Sequence, residues 1–258
     1  MKLKMFCSIG LWLMVLALPL GTAGAEEQTK EKIVSFGISA DYYTKYIWRG
    51  QNIDDKSVFQ PAVSASAYGF TGSIWGNLDL MNQNDTAGEF SEFDFSLDYS
   101  GTIPGADWLG FSVGTIYYRF PNTPFEPTTE IYAGLSVDAP LSPSFTWYQD
   151  VDEVRGSYLQ FAIGHTVEKV ITWNENFYCD FEVGASFGWG SSSYNRGYFG
   201  VSNGRFNDIT ISAGLPISIG NWVVKPSVNH SSMLSSSIRD AVAKGSNTWF
   251  GVGISTSF

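Results

Sequence analysis

Side chains suited to catalysis are few in this 258-residue chain. His165 and His230 are its only histidines, and His230 is followed directly by Ser231 and Ser232. A serine beside a histidine base is the minimum that a hydrolase needs, although a histidine at the boundary of an apolar strand is the commoner and favoured interpretation. The chain has no Gly-x-Ser-x-Gly, His-Glu-x-x-His or Cys-x-x-Cys motif. We therefore expect no catalytic residues, no metal site and no cofactor.

Charged side chains recur at alternate positions of several apolar segments, which places them on one face of a strand. The acidic candidates for an inner face are Glu92, Asp94, Asp98, Glu130, Asp180, Glu182 and Asp208. The basic candidates are Lys45, Arg49, Arg119 and Lys225. If this face lines a water-filled lumen, its acidic excess should favour cations over anions. Alternatively, the carboxylates pair with the cations or meet water near the ends of the structure and simply fill it.

Apolar residues two positions apart define about twelve strands. The clearest lies at 89–100, where Phe93 and Phe95 alternate with Glu92 and Asp94. The segments are 33–47, 57–68, 70–81, 89–100, 107–120, 128–138, 144–152, 157–167, 176–189, 208–217, 221–230 and the end of the chain. Aromatic clusters near the outer ends should form an interfacial girdle, with stacking on a sugar as the alternative. These clusters contain Tyr42, Tyr43, Tyr46, Trp48, Tyr117, Tyr118, Phe120, Trp189, Tyr194, Tyr198 and Phe199.

The N-terminus has the pattern of a secretory signal peptide. Lys2 and Lys4 precede an apolar run at 9–20, which is shorter than the about 20 residues of a membrane helix. An Ala-x-Ala site then predicts cleavage between Ala25 and Glu26. We expect a signal peptide at 1–25 and one exported domain at 26–258.

Composition agrees with export and excludes one class of partner. Aromatic residues make up 16% of the chain and charged residues 16%, which is aromatic-rich and charge-poor for a soluble domain. Removing Lys2 and Lys4 takes the net charge from −10 to −12, so nucleic acid is not an expected partner. Cys179 would be the single cysteine after cleavage, which leaves no intrachain disulfide.

The last strand is apolar on one face and small or polar on the other. Phe250 and Ile254 lie on the apolar face, and Gly253 lies on the opposite one. Together with the terminal Phe258, the segment resembles the C-terminal targeting signal of Gram-negative outer-membrane barrels, although Thr256 replaces a usual aromatic or aliphatic residue. The resemblance implies that Gly253, Ile254 and Phe258 form an assembly signal read by the barrel-assembly machinery.

These patterns predict an all-β fold, a single antiparallel transmembrane β-barrel of about twelve strands. One misread hairpin would make it ten or fourteen. Twelve tilted strands enclose a cylinder of roughly 24 Å backbone diameter. The connections should alternate between short periplasmic turns and longer external loops. The expected external loops are 49–56, 82–88, 119–127, 153–156, 190–205 and 231–246, and the expected turns lie near 69, 101–106, 139–143, 168–175 and 219–220.

The first strand carries a family resemblance. The stretch Tyr42 to Gln51, with its Trp48-Arg49-Gly50 step, and the later Gln60-Pro61 resemble the opening of the TorF-like family of porins. The resemblance implies an outer-membrane barrel and a porin, and it assigns no solute and no functional residue. Arg49-Gly50 should mark where the strand turns, because glycine readily takes positive φ.

The favoured function is passive passage of small solutes across the outer membrane, with cation preference. The first alternative is a structural or adhesin-like barrel with a plugged lumen, and the second is an outer-membrane lipid hydrolase. The expected partners are outer-membrane lipid, the assembly machinery and small solutes.

Overall fold

The computed structural model of the chain describes residues 34–83 and 85–258. These residues form a closed barrel of twelve antiparallel strands, which confirms the predicted fold class and strand number. In chain order the elements are β1 (Val34–Tyr43), β2 (Tyr46–Trp48), β3 (Gln51–Asp54), β4 (Val58–Ala67), β5 (Phe70–Asp79), β6 (Phe90–Ile103), β7 (Ala106–Arg119), β8 (Thr128–Val137), β9 (Ser144–Asp150), β10 (Ser157–Asn174), β11 (Phe177–Gly190), α1 (Ser192–Phe199), β12 (Arg205–Gly214), β13 (Ile217–Ile219), β14 (Trp222–Met233), α2 (Ser236–Arg239) and β15 (Ser246–Ser257). β13 continues β12, while β2 and β3 form a separate hairpin. The expected signal peptide at 1–25 lies outside the described residues.

The barrel closes because the first and last strands pair with each other. β1 and β15 are antiparallel from Gly37↔Ser257 to Tyr43↔Gly251. At the seam, the backbone N–H of Phe258 donates to the carbonyl of Phe36 at 3.0 Å. Every other barrel strand pairs with its neighbours in chain order, so the sheet has no free edge.

The side chains of the barrel are arranged opposite to those of a soluble protein. On β1, Phe36 and Ile38 point outward and are 50% and 44% exposed, whereas Gly37 and Ser39 point inward. The same alternation runs along the other strands and leaves a continuous apolar outer surface. Such a surface is stable where lipid contacts it, and water or protein fills the interior. No helix in the part of the chain that the structure describes is long and apolar enough to cross a bilayer.

The connections at one end of the barrel are generally longer than those at the other, as predicted, although 151–156 and 138–143 are equally long. At one end lie the longer segments 44–57, 80–89, 120–127, 151–156, 191–204 and 234–245, and we call this the loop end. At the other end lie the short turns 68–69, 104–105, 138–143, 175–176 and 220–221, and we call this the turn end. Both Val34 and Phe258 are at the turn end, because β1 and β15 begin and finish there.

Several predicted boundaries are wrong by a few residues, and two differ more widely from the structure. The first strand does not run to residue 47: it ends at Tyr43, and the chain then bends into the β2–β3 hairpin. The expected turn at 168–175 is strand, because β10 extends to Asn174. An irregularity in the β10–β11 ladder lies between Val167 and Ile171, and Lys169 there has a φ of 52°. A β-bulge of this kind absorbs polar residues without ending the strand.

Candidate functional site

The hairpin β2–β3 folds from the loop end back into the barrel. Its tip is a two-residue turn in which Arg49 and Gly50 have φ values of 45° and 79°. Two successive positive φ values are typical of a type I′ turn, the connection that matches the twist of paired strands. The predicted turn at Arg49-Gly50 is therefore present, but it lies inside the barrel and not in an exposed loop.

Arg49 makes a bidentate ion pair with Glu130 on β8. Its Nη1 and Nη2 donate to the two carboxylate oxygens at 2.8 and 2.7 Å, and both side chains are almost fully buried. The hydroxyl of Tyr118 donates to the same carboxylate at 2.9 Å. A buried charge pair of this geometry is stable only while both partners are present, because either one alone would remain buried and uncompensated.

Aromatic rings surround the guanidinium of Arg49. Its central carbon lies 4.5 Å from the ring centroids of Trp48, Tyr148 and Tyr158. The Tyr158 hydroxyl in turn donates to Asp208 at 3.0 Å. Cation–π contacts are strongest when the charge is desolvated, as it is here.

The hairpin tip packs tightly against the far wall. A Cβ atom on Gly50 would lie 2.6 Å from Asp208 Cβ and 3.1 Å from Met233 Sδ. Only glycine fits this position, because it tolerates both the close approach and the positive φ. The hairpin therefore crosses the interior from β1 to β12 and β14.

A second loop segment, α1, packs against the hairpin, with the ring of Tyr198 5.2 Å from that of Trp48. Ser191 caps the helix by accepting a hydrogen bond from the N–H of Tyr194. Tyr194 is fully buried, and its ring lies 5.3 Å from that of Tyr158. Asn195 is also fully buried and accepts a hydrogen bond from Asn207 of β12 at 2.7 Å. We call the β2–β3 hairpin and α1 together the plug.

An acidic group lies on the wall beside the hairpin. Tyr46 of β2 donates to Glu92 at 2.8 Å, and Asp94 is the next inward residue on the same strand. Asp94 is 4% exposed, and within the described residues neither of its carboxylate oxygens receives a hydrogen bond from a donor group. Asp79 accepts hydrogen bonds from Asn77 and from Thr86. The hairpin is thus held at its base by a hydroxyl–carboxylate contact as well as at its tip.

The half of the interior towards the turn end is different. Its inward residues are mainly small, as with Ser39, Ser96, Ser112, Gly134, Gly184, Ser227 and Gly253. Glu182 and Lys225 form an ion pair there at 3.0 Å, with side chains 29% and 28% exposed. Asp41 and Asp98 are also inward and partly exposed. We call this half the vestibule; the four charged side chains named here are three acids and one base.

The remaining predicted residues are dispersed. Asp180 lies near the turn end and accepts a hydrogen bond from the backbone N–H of Lys169 at 2.6 Å. Lys45 is not on the barrel wall: it precedes the hairpin and pairs with Asp55 at 2.7 Å. Arg119 was expected to point inward, but it is exposed and alternates with the buried Tyr118, so it lies on the outer face. Gly253 points inward, while Ile254 and Phe258 point outward and are 42% and 53% exposed.

The expected aromatic girdle is only partly correct. Tyr42 and Tyr117 are exposed on the outer face, as a girdle requires. Tyr118, Tyr194 and Phe199 are instead buried inside the barrel as part of the plug and its contacts. Sequence reasoning missed this function because an aromatic side chain suits either face of a barrel strand. The available signal was the strand period, which places Tyr118 on the face opposite Tyr117. Within the described residues, no cluster of three or more potential ligands could hold a metal ion.

No family model matches the chain, and no curated protein sequence matches it. Solved structures do share its fold. The NanC porin is 12% identical with a TM-score of 0.51, and the match covers 86% of this chain and 98% of that one. The KdgM porin in complex with disordered oligogalacturonate is 15% identical with a TM-score of 0.51, covering 87% and 99%. LpxR from Salmonella typhimurium is 9% identical with a TM-score of 0.53, covering 86% and 99%. At these identities the similarity establishes the barrel fold alone.

Proposed function

We propose that this protein is an outer-membrane channel that is closed by its own plug and passes small solutes, with a preference for cations, when the hairpin leaves the barrel. The observation that carries the proposal is the division of the interior. The loop end is filled by chain segments that belong to loops, and the turn end is a vestibule lined by small side chains. In a barrel that serves only as a scaffold, larger inward side chains can fill the interior, and no vestibule is required.

The attachment of the plug supports an opening step. The hairpin is joined to the barrel wall by two short connections, 44–45 and 55–57, and among the described residues β2 and β3 form ladder pairs only with each other. Its main polar contacts with the wall are side-chain contacts, including Arg49 with Glu130 and Tyr46 with Glu92. Withdrawal of the hairpin therefore breaks no hydrogen bond of the barrel ladder.

The charges of the vestibule support cation preference. Asp41, Asp98 and Glu182 outnumber Lys225, and all four are within reach of solvent. Net negative charge inside a narrow wall raises the local concentration of cations. The effect weakens with salt, because the Debye length falls from about 30 Å at 0.01 M to about 3 Å at 1 M.

Single-channel recording in planar bilayers tests the proposal. Replacing 46–54 by a short Gly-Ser linker, with Glu130→Gln to remove the unpaired charge, should turn a mostly closed protein into a steadily conducting one. A matched control shortens the exposed 122–126 loop and should stay closed. Heat-modifiable gel mobility would confirm that each barrel has folded. A folded barrel that lacks the hairpin and still does not conduct would refute the channel.

Selectivity is tested in the same conducting variant. Asp41→Asn together with Asp98→Asn should move the reversal potential in a salt gradient towards weaker cation preference, and most strongly at low salt. An unchanged reversal potential would place both carboxylates outside the permeation path.

A permanently plugged structural barrel is the second candidate, and the buried core at the loop end favours it. Tyr194 and Ile238 from two loop segments are 0% exposed, as in the core of a soluble domain. This candidate predicts that deletion of the hairpin lowers the thermal stability of the barrel without producing any conductance.

A further inference from the structure

A separate group of polar side chains lies on the outer face of the barrel. His230 on β14 points away from the lumen and is exposed. Val228 and Ser232, two residues before and after it, point in the same direction, and Ser232 is half-buried. Register places His230 opposite Thr248 on β15, and Ser232 opposite Ser246. These four polar residues form the outer-face cluster.

Both ring nitrogens of His230 are hydrogen-bonded to hydroxyl groups. Nδ1 lies 2.8 Å from Thr248 Oγ1, and Nε2 lies 3.2 Å from Ser232 Oγ. Ser246 Oγ is 3.4 Å from the same Nε2 and 3.1 Å from Ser232 Oγ. With Nδ1–H donating to Thr248, Nε2 is left as the acceptor for a serine proton. A histidine that only lies at the membrane boundary does not need three hydroxyl groups within hydrogen-bonding distance of its ring.

The three groups have the relation of nucleophile, base and orienting residue. A serine becomes a useful nucleophile when an adjacent base takes its proton, and that base acts best when a third group fixes its ring. Ser232, His230 and Thr248 meet these requirements in order. Thr248 supplies a neutral hydroxyl where many hydrolases have a carboxylate, and it can hold the tautomer without adding charge.

The surroundings indicate what would reach this serine. On the same outer face lie Ile211, Val228 and Phe250, which are 53%, 40% and 58% exposed. The cluster lies between this apolar surface and the loop end, because Ser232 is one residue from the end of β14. In a bilayer, the acyl chains would contact the apolar residues and the ester groups would lie at the level of the cluster.

We propose that the outer-face cluster is an esterase site for ester-linked acyl chains of membrane lipids, with Ser232 as nucleophile, His230 as general base and acid, and Thr248 as the positioning residue. Ser232 Oγ attacks the ester carbonyl carbon while its proton passes to His230 Nε2. The carbon–oxygen bond to the alcohol then breaks, and the alcohol leaves with that proton. Water attacks the acyl-serine, gives one proton to His230 and releases the fatty acid, after which the proton returns to Ser232. Ser246, adjacent to the nucleophile, has a hydroxyl able to donate to the developing oxyanion.

Two measurements on the full mature protein in detergent micelles test this site. The first is release of fatty acid from a glycerophospholipid and, in a separate arm, from lipid A, which distinguishes the two lipid sources of the same ester chemistry. The second is covalent labelling by a fluorophosphonate, with the modified residue located by mass spectrometry. We expect label on Ser232 and fatty acid release in at least one arm.

Variants separate a catalytic role from a structural one. Ser232→Ala and His230→Gln should each lower the rate by about a hundredfold or more, because general acid–base assistance alone is worth that much. Thr248→Val should lower kcat, and Thr248→Ser should restore it. The matched control is Ser57→Ala, since Ser57 is hydrogen-bonded to the exposed Tyr42 at 2.8 Å and to no histidine.

The outcomes are distinct from those of the channel experiments. Label on Ser246 in place of Ser232 would overturn the assignment of the nucleophile. Folded wild-type protein that is neither labelled nor active on either lipid would overturn the esterase site. Removal of the plug hairpin should leave the labelling of Ser232 in place, because the outer-face cluster points away from the lumen, whereas the hairpin reaches this part of β15 through the inward Asn247.

Discussion

Removal of Arg49 should release the plug without unfolding the barrel. In Arg49→Met, Glu130 loses two charge-assisted hydrogen bonds and keeps one, the 2.9 Å bond from Tyr118. Breaking a buried ion pair by removing one partner costs about 3–5 kcal/mol, because the remaining charge is still buried. The ladder of the barrel is untouched, so we expect this loss to fall on docking of the hairpin.

The size of the effect follows from the same figure. A loss of about 3–5 kcal/mol changes the ratio of docked to undocked hairpin by about a hundredfold to a few thousandfold. Limited trypsin digestion measures this ratio, because cleavage of a transiently opened segment tracks its open population. Cleavage is followed at Lys45 and Lys56, which flank the hairpin and are kept in every variant, because Arg49 is itself a trypsin site that Arg49→Met removes.

The double variant Arg49→Met, Glu130→Met is the matched control. It removes both charges, and apolar side chains of similar length can occupy the space, so protease resistance should return towards that of the wild type. A single variant digested at the wild-type rate, with its barrel intact by gel mobility, would show that the ion pair does not hold the plug. Equal sensitivity of the single and double variants would show that shape, and not charge, is what Arg49 contributes.

Three further predictions concern the hairpin and the seam. Gly50→Ala should weaken docking of the hairpin by about 2–5 kcal/mol, which is the sum of the penalty for positive φ and of overpacking against Asp208. Its trypsin sensitivity should rise to nearly that of Arg49→Met. Burial raises the pKa of Asp54, on β3, from 3.8 to about 6. The contribution of Asp54 to the free energy of docking is therefore fully present below pH 3.8 and is lost as the pH rises through about 6. The trypsin sensitivity of the wild type should increase from pH 4.5 to pH 7, and Asp54→Asn should flatten this increase. Phe258→Ser should lower outer-membrane yield in cells but leave refolding into detergent nearly intact, because one exposed side chain contributes at most a few kcal/mol; equal losses in both settings would make Phe258 a packing residue alone.

The barrel itself could be predicted from the sequence because one rule governs every strand. Period two fixes which side chains share a face, and apolar residues such as Phe36 and Phe95 fix which face meets lipid. Loop lengths then follow from the strand boundaries. The placement of a strand in the wall does not depend on contacts between distant parts of the chain, so the local pattern is sufficient.

The plug could not be predicted in this way. Tyr46 and Trp48 continue the alternation of β1, and only the contacts of Arg49 with β8 and of Gly50 with β12 show why the chain leaves the wall at Tyr43. Arg119 was misassigned because it is the last residue of its strand, where a one-residue error reverses the face. His230 was recognised as a possible base, but its second nitrogen partner, Thr248, is 18 residues away and was not.

The position of the plug in the chain has a consequence for folding order. The hairpin belongs to the first loop, yet its partners come much later: Glu130 is 81 residues away, and Asn247, which accepts a hydrogen bond from Asn52 at 3.0 Å, is 195 residues away. Contacts of such long sequence separation form late, because the entropy of closing the intervening chain must first be offset. We therefore expect the hairpin to stay undocked until the strands that receive it have been assembled. A freshly closed barrel should then pass through a state with an unfilled loop end before the hairpin docks.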